Sequence, residues 1–158
     1  MTQMMAGRLI IREMLPDDIP EIVRIERASF STPWSETSFF KEIYHRHALT
    51  WVAEAEGSVK GYICIRRIVD ECHLMNLAVH PLCRTRGVAA TLLEEMIAEL
   101  TSAGDSSLYL EVRASNRAAR VLYERFGFRT VGIRKNYYAA PPEDGLIMML
   151  DLRRTPAD

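Results

Sequence analysis

Only three of the 158 residues are cysteine, and Cys64, Cys72 and Cys83 show neither the paired spacing of a zinc site nor the framework of a small disulfide-stapled scaffold. They read as buried or semi-buried free thiols. No apolar run approaches membrane-spanning length, and the stretch flanked by Arg8 and Arg12 is far too short for the h-region of a signal peptide. These absences suggest a reducing cytoplasm and no membrane partner. An excess of basic charge is missing too: 20 Lys and Arg against 21 Asp and Glu give a net charge of -1, dispersed along the chain, which excludes the electrostatic footprint of a nucleic-acid binder. His73 and His80 have no acid or second histidine at ligand spacing, so no metal is expected. Internal repeats and low-complexity tracts are also lacking. What remains, 48% hydrophobic and 26% charged residues, fits a single domain over residues 1–152 with a flexible tail over 153–158.

The periodicity along the chain gives a mixed order of elements. A short strand over Arg8 to Arg12 precedes the turn Pro16-Asp17-Asp18, after which Ile19, Ile22, Val23 and Ile25 start a helix ending near Phe30. Ser31 to Ser35 breaks it, and Ser35 can cap a second helix carrying Phe39, Phe40 and Ile43. Strand patterns follow over Trp51 to Glu54, Tyr62 to Val69 and His73 to Val79, with short turns that imply an antiparallel meander. Beyond Pro81 the period changes. Val88, Ala89, Leu92, Leu93, Met96, Ile97 and Leu100 trace one apolar helical stripe, and Gly104 is placed to end it. Alternation resumes at Leu108, Leu110 and Val112, which face a core, while Tyr109, Glu111 and Arg113 point to the other side. Ser115 and Asn116 can cap a further helix closed by Gly127, and Phe128 to Ile133 and Leu146 to Leu152 read as final strands. The result is an α/β (α+β) domain around one sheet.

The segment Arg84-Thr85-Arg86-Gly87-Val88-Ala89 sits between a strand and the start of the strongest helix, where backbone N–H groups are free to hold an anion such as a pyrophosphate. Gly87 allows close approach, small Ala89 nearly the same, and Arg84 and Arg86 can add charge. The segment lacks the Gly-Lys-Ser/Thr ending of a P-loop and is not a dinucleotide fingerprint.

In this setting Arg-x-x-Gly-x-Ala, following Asn76-Leu77-Ala78-Val79-His80-Pro81, resembles the coenzyme A signature of the GNAT superfamily. Leu110-Glu111-Val112-Arg113-Ala114-Ser115-Asn116, Leu122-Tyr123-Glu124-Arg125-Phe126-Gly127-Phe128 and Arg134-Lys135-Asn136-Tyr137-Tyr138 are similar to RimI-type ribosomal-protein-alanine N-acetyltransferases. Pro33-Trp34-Ser35 and Ile147-Met148-Met149 match in the same order. The resemblance implies a mixed, mostly antiparallel sheet of about seven strands, splayed between its central strands, with about four helices. It also implies acetyl-CoA as cosubstrate: Leu77, Ala78 and Val79 along the pantetheine, Arg84, Thr85, Arg86, Gly87, Val88 and Ala89 around the pyrophosphate, and Asn116 and Tyr123 near the reactive end. Glu111 takes the position of the general base and Tyr123 that of the general acid. Trp34, Tyr137 and Tyr138 belong to the walls of a peptide groove, the second wall being a connection from Asn136 to Gly145. The implied acceptor is the N-terminal amine, alanine first, of a small-subunit ribosomal protein.

The residue pattern alone leaves other roles open. Glu111 can be a surface carboxylate, Tyr123 a core aromatic with a bonded hydroxyl, and Tyr137 and Tyr138 hairpin packing. A lysine or small-molecule amine acceptor on the same fold, or a coenzyme A-binding module without catalysis, are the alternatives to the N-terminal acetyltransferase. A ping-pong route through Cys83 lacks a His or Asn partner pattern. Two departures from the RimI-type pattern are the loop Tyr-Tyr-Ala-Ala-Pro-Pro-Glu-Asp, usually more polar, and Ala89 where glycine is frequent.

Overall fold

A computed structural model describes residues 8–153; beyond Arg153 the expected tail lies outside the described residues. The elements are β1 (Ile10–Glu13), α1 (Ile19–Ser29), α2 (Glu36–Ile43), β2 (Ala48–Ala55), β3 (Ser58–Ile68), β4 (Glu71–Val79), α3 (Val88–Ser102), β5 (Ser107–Arg113), α4 (Arg117–Arg125), β6 (Arg129–Ala139) and β7 (Pro142–Asp151). Seven strands form one mixed sheet in the order β1-β2-β3-β4-β5-β7-β6. Four helices and this sheet are the architecture that the sequence leads one to expect. The chain also divides into two compact units, residues 8–66 with 75–96, and residues 67–74 with 97–153.

In the first unit, α1 carries buried Ile19, Ile22, Val23 and Ile25 against a core that includes Phe39, Val52 and Tyr62. Burying each such aliphatic side chain stabilises by about 1.5–3 kcal/mol, so the stripe fixes which face of α1 meets the sheet. The helix start is held by charge. Arg12 on β1 donates to both carboxylate oxygens of Asp18 at 2.8 Å and to Glu54 on β2 at 2.7 Å. Ser35 caps α2 as its sequence position suggests, accepting from the Ser38 N–H at 3.1 Å. β1 and β2 pair antiparallel, as do β2 and β3, which is the start of the expected meander.

In the second unit, β5 pairs in parallel with β4 over Glu71↔Ser107, Cys72↔Leu108 and His73↔Tyr109, and antiparallel with β7 from Ser107↔Asp151 to Arg113↔Gly145. Leu108, Leu110 and Val112 are buried while Glu111 is exposed, so the alternation read from the sequence holds residue by residue. The end of the chain differs from expectation. Where the sequence suggests a connection over Asn136 to Gly145, β6 runs on to Ala139 and β7 begins at Pro142. The hairpin absorbs an irregularity: Arg134 pairs with Gly145 and Tyr138 with Glu143, so Lys135, Asn136 and Tyr137 lie opposite the single residue Asp144. Asn136 takes a left-handed φ of 52° and donates its N–H to Asp144 Oδ1 at 2.9 Å. Period-two reading fails across such a bulge, which is why this stretch looks like a loop in the sequence.

Candidate active site

The candidate residues fall into two groups, one in each unit. In the first unit the turn after β4 delivers the start of α3. Gly87 has φ +82°, a conformation that costs a residue with a Cβ about 1–2 kcal/mol. A Cβ built on it meets no atom within 4 Å, so the space beside it is open. The Gly87 carbonyl accepts the first helical bonds, from Thr91 N–H at 2.9 Å and from Thr91 Oγ1 at 2.8 Å. The N–H groups of Val88, Ala89 and Ala90 therefore precede the helical ladder, and with the helix dipole they make a cradle for an anion. Val88 itself is buried and fixes the helix end to the core.

Arg84 is turned back onto the protein: its Nε donates to the Val79 carbonyl at 3.2 Å and its Nη2 to Ser29 Oγ on α1 at 2.9 Å. It braces the turn against the end of β4 rather than extending from it. Thr85 lies at φ 64° with its hydroxyl on the Arg84 carbonyl, and Arg86 is half-buried beside Gly87. On β4, Ala78 is buried, and Leu77 and Val79 are half-buried. The Trp34 ring packs on Phe39 at 5.1 Å between centroids, so its loop is anchored in the core of this unit.

In the second unit the structure brings Glu111 together with Arg134, Tyr137 and Tyr138. The Glu111 carboxylate lies 3.3 Å from Arg134 Nε, whose guanidinium is 5.3 Å from the centroid of the Tyr137 ring. Burial, and then Glu111, push the Tyr137 and Tyr138 phenols up from their ordinary value. Tyr123 projects from α4 into the core against Phe128, 5.5 Å between ring centroids, and is 8% exposed. Burial, with a smaller contribution from Tyr138, holds its phenol far above the ordinary range, so it carries its proton throughout the physiological pH range. Asn116 is the N-cap of α4: its side-chain oxygen accepts the Ala119 N–H at 3.1 Å, which leaves the amide nitrogen as its outward donor.

Residues 19–128 match the family model described as "Acetyltransferase (GNAT) family". The chain belongs to this family. Over 137 residues it is 40% identical to the [Ribosomal protein bS18]-alanine N-acetyltransferase of Salmonella typhimurium, covering 85% of this chain and 92% of that protein. The crystal structure of the ribosomal-protein-S18-alanine N-acetyltransferase from Escherichia coli is similar with a TM-score of 0.87 at 34% identity, covering 96% of this chain and 98% of that one. Arabidopsis thaliana NAA60 in complex with acetyl-CoA shares the fold, with a TM-score of 0.83 at 19% identity over 91% of this chain and 99% of that one. The protein is an N-acetyltransferase of the GNAT family.

Several residues around Glu111 and Tyr138 are not visible as candidates in the sequence. Arg113, two positions beyond Glu111, lies with its guanidinium 4.3 Å above the Tyr138 ring. It donates to the carbonyls of Ala140 and Pro141, each at 2.8 Å, and pairs with Glu143 at 3.3 Å. Glu143 also accepts the Ser115 N–H at 2.9 Å and the Ser115 hydroxyl at 2.9 Å. These contacts tie the end of β5 to the hairpin tip. Gly145 makes room for them, since a Cβ there would sit 3.2 Å from both Tyr137 and Tyr138. Strand alternation placed Arg113 on the face of Glu111, but its partners depend on the hairpin register, which no local pattern encodes. Among the described residues no cluster of His, Cys, Asp and Glu could hold a metal ion, and no helix is long and apolar enough to cross a membrane.

Proposed function

We propose that this acetyltransferase uses acetyl-CoA to acetylate the N-terminal amine of a protein, alanine first, with a small-subunit ribosomal protein as its substrate, in the cytoplasm. The similarity to bS18-alanine N-acetyltransferases along nearly the whole chain supports the acceptor class. One geometric observation carries the chemistry: an exposed strand carboxylate, Glu111, lies 3.3 Å from Arg134, whose guanidinium is 5.3 Å from the Tyr137 ring, in the same unit as the buried phenol of Tyr123.

When bound, acetyl-CoA supplies an activated acetyl group on a thioester. The N–H groups at the start of α3 and the open space beside Gly87 fit its pyrophosphate, with Arg86 to Ala89 forming the cradle and Thr85 and Arg84 shaping the turn. Leu77, Ala78 and Val79 would pair with the pantetheine through their backbone, and the Val79 N–H would polarise the thioester carbonyl. Asn116 would donate near the reactive end. Glu111 accepts the proton of the incoming ammonium, directly or through one water, and Tyr123 returns a proton to the departing sulfur. Trp34, Tyr137 and Tyr138 hold the peptide.

Proton energetics favour an α-amine: with a pKa of about 8 it costs roughly 1.4 kcal/mol to neutralise at pH 7, against roughly 4.6 for lysine at about 10.4. The ion pair of Arg134 with Glu111 is exposed and worth only about 0.2–1 kcal/mol, so an arriving ammonium can replace it. Cys83 is 1% exposed, which supports direct transfer over a thiol intermediate. Thiol release from acetyl-CoA against short peptides that vary only in residue one tests the proposal. Preferential turnover of the alanine-first peptide is expected; equal turnover of all peptides, or of none, would overturn it.

A further inference from the structure

Helix α1 buries a carboxyl group where its stripe calls for an aliphatic residue. Ile19, Ile22, Val23 and Glu26 fall at the spacing of one helical face, and Glu26 is 1% exposed. A buried polar group persists only if its bonds are satisfied, and those of Glu26 come from three other parts of the first unit. Oε1 accepts the Tyr62 hydroxyl of β3 and the Asn76 Nδ2 of β4, the latter at 2.8 Å. Oε2 accepts the backbone N–H of Trp34 at 3.0 Å. Burial and the adjacent Glu26 keep the Tyr62 phenol far above its ordinary range, so Tyr62 acts as donor.

Both outer partners adjoin segments that the proposed function assigns to substrates. Trp34 belongs to the loop between α1 and α2 that the proposed function gives to the peptide. Asn76 immediately precedes Leu77 to Val79, the segment assigned to the pantetheine. Resting on that reading, we infer that Glu26 is a positioning residue for the transfer reaction, one carboxyl group that sets the peptide loop and the coenzyme strand against the same helix. An apolar residue would fill the core equally well but could bind neither segment, which accounts for a polar group at a fully buried position.

The test compares purified variants well below their melting temperatures, measuring the acetyl-CoA dissociation constant by titration and the KM of a short alanine-first peptide by thiol release. Asn76→Ala cuts only the β4 link and is expected to weaken acetyl-CoA binding about fivefold while the peptide KM stays within about twofold. Glu26→Ala should raise both constants by about tenfold, with kcat changed less than either. Glu26→Gln retains an oxygen for the Trp34 N–H and should bring the peptide KM back to within about twofold of the parent. Leu100→Ala, a core truncation on α3 in the second unit, should lower the melting temperature and leave both constants unchanged. If Glu26→Ala and Asn76→Ala behave like Leu100→Ala, Glu26 is structural only and the inference fails. Should Glu26→Ala not fold, unaltered acetyl-CoA binding by Asn76→Ala overturns it alone. The titration does not depend on the acceptor, so failure of the parent chain to acetylate any N-terminal peptide would be a separate result, against the proposed function.

Discussion

In the proposed function the turn at Gly87 and the hairpin of β6 and β7 serve the two substrates by different means. The turn offers backbone: free N–H groups, a left-handed glycine, and an arginine folded back as a brace. The hairpin offers side chains: Arg113 stacked on Tyr138, Glu143 on Ser115, and Arg134 beside Glu111. A backbone cradle tolerates many side chains but not a change of φ, whereas a side-chain network tolerates backbone change poorly at every partner. Anion binding and amine selection therefore ought to respond to different substitutions.

The largest separation is expected from Glu111→Gln, which removes the proton acceptor and leaves the turn intact. Its kcat should fall by about 100-fold while acetyl-CoA affinity stays within about twofold. A parallel loss of affinity would show that the two regions do not act separately. Gly87→Val should do the reverse, because a β-branched residue at φ +82° strains the turn: acetyl-CoA binding about tenfold weaker by calorimetry, with kcat at saturation nearly kept.

That contrast also explains what the sequence reveals. The Gly87 turn is legible because a few adjacent residues make it, and the strand Leu108 to Val112 because burial alternates without interruption. α3 is legible for the same reason: Val88, Leu92, Leu93, Met96 and Leu100 of its stripe are all buried. The hairpin is not, since three residues of β6 oppose Asp144 alone and the partners of Arg113 lie about thirty positions away in the chain. Nor is Glu26, which in the sequence is one more acid on an amphipathic helix. Its donors Trp34, Tyr62 and Asn76 come together only in the fold.

A smaller effect comes from Arg113→Met, which keeps the length of the side chain but removes its donors and its charge above Tyr138. The cation–π contact alone is worth about 0.5–2 kcal/mol, so the peptide KM should rise about fivefold with acetyl-CoA binding unchanged. The smallest concerns acid. The Ser115 N–H, with its hydroxyl and Arg113, holds the Glu143 carboxyl below its ordinary 4.5. A depressed carboxyl stabilises its fold above the unfolded value and loses that contribution as pH falls through the folded one, so the hairpin contact is present above 4.5 and weakens below it. In an NMR titration the Ser115 amide should shift with a midpoint under 4.5, while the Thr91 amide at the Gly87 turn stays still. A Ser115 midpoint at or above that value would remove the asymmetry.

The most direct test uses one alanine-first peptide with an internal lysine, offered with its α-amine free or blocked, and mass spectrometry to locate the acetyl group. The account predicts acetylation of the free peptide at the α-amine only, and no turnover of the blocked one. Acetyl on the lysine of the blocked peptide, at a rate matching the free peptide, would contradict it.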